Sequence, residues 1–117
     1  MRPLPGVKNL EQACRKVVES NTADKHYPGY FDSMTRGKDS EALLPVISRL
    51  ILEATFLEKV ERIMKKCRSM LTIEDLVDYY GNTWGFDDRV IEAARQRVEY
   101  FDRIVVGKVR YGKPDLE

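Results

Sequence analysis

The sequence predicts an all-α protein, a compact bundle of about four helices at roughly 9–20, 44–68, 72–80 and 87–106, with a long irregular loop at 21–40. Three observations carry this. Four stretches place apolar residues at every third or fourth position, the period of a helix with one buried face. Helix-start signals stand at the head of three of those stretches. Alternating apolar segments that could pair into a sheet are missing, apart from one short run near the C-terminus. At 117 residues the chain has the length of a single domain, 1–117, with enough surface to bury for folding without a metal or disulfide.

In the first stretch Leu10, Ala13, Cys14, Val17 and Val18 fall on one stripe. Asn9 followed three residues later by Gln12 reads as a capping box, and Asn21 as the closing residue. Residues 21–40 lose the period. Pro28-Gly29 and Gly37 punctuate them, while Tyr27, Tyr30, Phe31 and Met34 offer anchors and one helical turn at 30–36. The longest stripe follows, from Leu43 and Leu44 through Ile47, Leu50, Ile51, Ala54, Leu57, Val60 and Met64 to Cys67. Pro45 fits only the first turn of a helix, so the start is expected at 44–45.

Thr72-Ile-Glu-Asp75 is a start signal with carboxylates in the positively polarised first turn. Ile73, Leu76, Val77 and Tyr80 supply the buried side, and Gly81 is expected as a left-handed cap. Asp87 opens the last helix, with Phe86 and Ile91 spaced as a hydrophobic staple. Val90, Ile91, Ala94, Val98, Phe101, Ile104 and Val105 form its stripe, and Gly107 ends it. The tail Lys108-Val-Arg-Tyr-Gly112 alternates like a short strand.

Composition narrows function more by exclusion than by indication. The formal net charge is +1, so no overall field draws in nucleic acid or an anionic membrane. Cys14 and Cys67 sit on apolar stripes, where cysteine acts as a small hydrophobe, and two thiols with one histidine cannot complete a zinc site. With no run of 18 apolar residues and no apolar stretch after Met1-Arg-Pro-Leu-Pro5, a soluble, cytoplasmic protein without membrane contact is expected. Neither GxGxxG nor GxxxxGK[ST] occurs, and His26 has no nucleophile motif to serve. No cofactor is expected.

Three groups of residues merit attention as sites. The helix pair 72–106 resembles a helix-turn-helix, and cations cluster at 59–68 and 103–113, including Lys59, Lys65, Lys66, Arg68, Lys108 and Arg110, so a nucleic-acid-binding regulator is one reading. Charge opposes it: segment 71–102 holds eight acids against three arginines, and a recognition helix beginning Asp87-Asp88 would press carboxylates on phosphates. The second group is Glu58-x-x-Glu61 followed by Asp75-x-x-Asp78. At these four positions the chain resembles the all-α nucleotide pyrophosphohydrolases, a likeness that implies magnesium held over a triphosphate by the four carboxylates.

The third group is aromatic. Tyr27 and Tyr30 in the first irregular segment, with Tyr79 and Trp84 around the second, combine contact area with polar tips, as recognition surfaces do. The preferred expectation is a non-catalytic protein–protein interaction or regulatory module using these four residues. A homodimer is also expected, because the 44–68 stripe has more apolar positions than one short helix covers.

Overall fold

The computed structural model describes residues 1–114, and six α-helices dominate it. Helix α1 is Leu10–Ala23, α2 Gly29–Thr35, α3 Ser40–Leu52, α4 Ala54–Met64, α5 Ile73–Tyr80 and α6 Asp88–Tyr100, the last continuing as a π-helical turn over Phe101–Val106. Strand β1, Arg2–Pro3, lies parallel to β2, Tyr111–Gly112, with Arg2 opposite Tyr111. The alternating tail therefore does find a partner, at the other end of the chain. Among the described residues no helix is long and apolar enough to cross a membrane.

The N-terminal signals form as the sequence predicts. Asn9 accepts from the Gln12 backbone N–H at 2.8 Å and Asp87 from that of Arg89 at 2.8 Å. Thr72 and Asp75 make a reciprocal capping box. The Gln12 side chain reaches one residue further back than a capping box would, to the Lys8 N–H. Helix α1 runs past residue 20 because Asn21 does not close it. Its buried carboxamide donates to the carbonyls of Val17 and Leu71, at 2.8 and 2.9 Å, and so fastens α1 to the segment that enters α5.

Two expectations are corrected. The loop at 21–40 contains the end of α1, all of α2 and the Asp39 cap of α3, leaving only short connections. The long 44–68 helix is two helices. Helix α3 starts at Ser40, capped by Asp39, with Pro45 inside it on the exposed side. It stops at Glu53, whose backbone is extended (φ −89°, ψ 126°), before α4 begins. Arg97 of α6 explains the break. Its guanidinium donates to the carbonyls of Leu50 (3.1 Å) and Glu53 (2.6 Å), satisfying acceptors at the end of α3. Ile47, Leu50 and Ile51 before the break and Phe56, Val60 and Met64 after it all enter one core.

The core is apolar around Leu10, Ile47, Leu76 and Phe101, but two arginines run through it. Besides Arg97, Arg110 is 3% exposed and lies between Asp75 (2.7 Å) and Asp102 (2.7 Å), donating also to the Met70 carbonyl. Asp102 is the second residue of the π-helical turn, and Gly107, at φ +86°, ends that turn. Gly81 is not the left-handed cap the sequence suggests: its φ is −55° and the left-handed residue is Gly85. Gly81 answers to space instead. A Cβ there would stand 2.4 Å from the Val77 carbonyl oxygen and 2.9 Å from Ile91 Cγ1.

Two stability outcomes follow. Arg110→Ala strands two buried carboxylates and should cost about 3–5 kcal/mol in urea unfolding. Gly81→Ala, which ordinary helix propensity would favour, should instead destabilise by about 1–3 kcal/mol in the same assay because the methyl has nowhere to go.

Candidate binding pocket

The sequence places an apolar run on each of α1, α2 and α4, and their meeting leaves a gap. A pocket of about 170 Å³ opens between α1, the 26–28 connection, α2, α4 and the 70–74 segment. Val17, Phe31, Phe56, Val60, Leu71 and Ile73 make its walls, with Phe31 and Phe56 stacked at 6.5 Å between ring centroids. Helix α2 is what closes one side. Asp32, 1% exposed, anchors it by accepting from Arg15 at 2.6 Å and from Arg36 and the Tyr27 hydroxyl. The bonds from Arg36, then Tyr27 and Arg15, hold the Asp32 carboxyl well below the usual carboxylate range, and the same contact with Asp32 raises the Tyr27 phenol.

Two tyrosines stand at the rim, Tyr27 at 56% and Tyr30 at 46% exposed. The Lys59 ammonium sits over the Tyr30 ring, 4.1 Å from its centroid, which places one cation at the mouth. His26 and Pro28 complete that edge.

Glu74 also lines the pocket, and it is fully buried. One carboxyl oxygen, Oε2, accepts from Arg97 at 3.2 Å. Among the described residues the other, Oε1, has no hydrogen-bond partner. Burial pushes the Glu74 pKa up, against the opposing pull of Arg97. A buried carboxyl oxygen without a partner costs about 1–3 kcal/mol, and the raised pKa eases that cost by favouring the uncharged form.

The aromatics expected to form one surface fall into two. Tyr27 and Tyr30 border the pocket, whereas Tyr79 and Trp84 belong to a separate series joined through Tyr80. Trp84 is half-buried, stacked on Tyr80 at 5.0 Å and 17°, while Tyr79 stays exposed. Of the cations expected to face phosphate, Lys65 pairs with Glu61 at 3.5 Å, and Arg68 donates to the Val106 carbonyl. Lys66 and Lys108 are exposed. Arg110 is corrected: it lies in the core between two aspartates and cannot reach a nucleic acid.

The four carboxylates are similarly dispersed in their engagements. Glu58 is exposed, Glu61 accepts from the Tyr100 hydroxyl at 2.7 Å, and Asp75 is buried against Arg110 and the Thr72 cap. Asp78 is half-buried. Among the described residues no group of three or more His, Cys, Asp or Glu side chains is arranged to hold a metal ion. The Cys14 thiol, buried in the core, is pushed up to about 12 and is therefore inert as a nucleophile at neutral pH.

Tyr27, Tyr30 and Lys59 at the rim are among the residues the sequence marks, whereas Glu74 and its partner Arg97 are not. Arg97 was legible: Val90, Ala94, Arg97 and Phe101 share a stripe, so an arginine stands at a core position. Glu74 gave no such sign, since a glutamate in the first turn of a helix is ordinary on the surface. No protein-family model, curated protein or solved structure matches this chain.

The Asp32 anchor has a definite pH signature. Its depressed folded pKa contributes stability that is present above the ordinary carboxylate range and lost as the pH falls through the folded value. Asp32→Asn should lower the thermal midpoint at pH 7, and the gap to wild type should persist to about pH 4 and narrow only in stronger acid.

Proposed function

We propose that this chain is a non-catalytic protein–protein interaction module that receives one apolar side chain of its partner in the pocket beside Tyr27 and Tyr30. The observation carrying this reading is the coincidence, in one concavity, of apolar walls and two exposed rim tyrosines. Apolar walls supply binding free energy through area removed from water. Rim tyrosines add contact area at little entropic cost, and a central desolvated pocket is where interface energy concentrates. The basic clusters support a nucleic-acid partner less well, because Arg110 is taken up in the core and Lys59 is seated on Tyr30.

Affinity capture from the source cells, with nuclease present, separates the surfaces. Ile63→Phe puts a ring into the pocket from α4, and the variant's fold is checked by circular dichroism. A protein partner held by wild type should be lost with this variant and retained by Tyr79→Ala. Retention by Ile63→Phe and loss with Tyr79→Ala would move the contact to the Tyr79–Trp84 surface. Loss of all capture on nuclease treatment would replace the protein partner with nucleic acid.

A further inference from the structure

Resting on that reading, we propose that the partner segment is acidic: its apolar side chain enters the pocket while flanking carboxylates meet Lys59, Arg62 and Lys66 along the α4 edge. Phe56, Lys59, Val60 and Ile63 line the pocket from α4. Arg62 stands between Lys59 and Ile63 in the chain, and Lys66 between Ile63 and Met70, which lines the pocket in turn. The three cations have the i, i+3, i+7 spacing of one side of a helix. Helix α4 ends at Met64, but the Lys66 N–H still donates to the Ile63 carbonyl at 2.9 Å, so the backbone is winding as it passes Lys66. All three side chains are exposed.

The neighbouring acids are engaged elsewhere. Glu53 lies against Arg49, and Glu61 serves Lys65 and the Tyr100 hydroxyl. Among the described residues no carboxylate pairs with Lys59, Arg62 or Lys66, and Lys59 rests on the Tyr30 ring instead. The exposed acid of α4, Glu58, lies two residues from both Phe56 and Val60, about 200° round the helix from each, which turns it away from the pocket. The opposite edge brings no balancing charge: Asp24 and Lys25 cancel formally, and Asp32 is held by Arg15 and Arg36. Apolar walls thus border an uncompensated cationic flank, and complementary charge at such a rim selects the partner and its register. Nucleic-acid phosphates answer the cations but bring no apolar side chain for Phe31, Phe56 and Val60. An acidic peptide satisfies both halves of the surface.

The test titrates the whole protein with four N-acetylated, C-amidated peptides, EELEE, QQLQQ, KKLKK and EEGEE, and reads binding by chemical shift. EELEE should shift Phe56, Ile63 and Leu71 and bind about tenfold more tightly than QQLQQ at low salt, an advantage that disappears in about 1 M sodium chloride. KKLKK should bind more weakly than QQLQQ, and EEGEE more weakly than EELEE. In the double variant Arg62→Gln, Lys66→Gln, which changes only exposed side chains, the affinity for EELEE should fall toward that for QQLQQ. Equal affinities of EELEE and QQLQQ for wild type would overturn the acidic assignment while leaving an apolar pocket in use. Equal affinities of EELEE and EEGEE, or no shift with any of the four, would overturn the pocket reading together with the assignment. A short oligothymidylate that binds more tightly than EELEE and displaces it would make the cations a nucleic-acid contact instead.

Discussion

Two adjacent acids in the first turn of α5, Glu74 and Asp75, are both buried, and each is held by an arginine from the C-terminal third of the chain. The remaining architecture is organised around this pair of contacts. Charges taken out of water demand partners with good geometry and complete hydrogen bonding, so they fix positions far more narrowly than apolar packing does. Arg97 reaches from α6 through Glu74 to the carbonyls at the end of α3, and thereby settles where the long apolar stretch must break. Arg110 ties the α5 cap to the π-helical turn and brings the C-terminal strand within reach of the N-terminal one. Removing either arginine would leave the core with carboxylates that no neighbour could neutralise.

One of these acids, Glu74, also borders the pocket. Glu74 faces two demands at once, a salt bridge on one oxygen and an acceptor left open on the other. A core built only for stability would satisfy both or replace the group with an apolar one, since half-satisfied polar groups are the costliest kind. Asp32 plays a different part. Arg15 of α1 donates to both Asp32 and Thr35 of α2, so one wall of the pocket is held by part-buried polar contacts beside the packing of Phe31 in the core. With its carboxyl held well below the usual range, that anchor gives way only in strong acid.

Helix α6 and its continuation show how a local irregularity serves a distant contact. Within the π-helical turn Phe101 is fully buried and the next residue, Asp102, accepts from Arg110, which follows the turn in the chain. The carbonyl of Val106, released from regular helical bonding, is taken by Arg68 from the segment after α4. Each departure from regular helix in this chain, at Glu53 and at 101–106, has an arginine guanidinium at the freed oxygens.

The sequence alone determined the helical class, the caps at Asn9, Thr72 and Asp87, and most of the apolar stripes, because these depend on neighbours three or four positions away, although Ile104 and Ala54 on those stripes are exposed. Tyr27 and Tyr30 were also visible as aromatics in an irregular segment. The tertiary structure alone decided the break at Glu53, the burial of Arg110, the pairing of the two ends and the separation of Tyr79 and Trp84 from the other tyrosines. It also placed Glu74 in the pocket. The apolar period runs unbroken across residue 53, and an acid in a first turn looks the same whether solvated or buried. What separates those cases is a partner many residues away in sequence, at Arg97 and Arg110, and no local pattern records that distance.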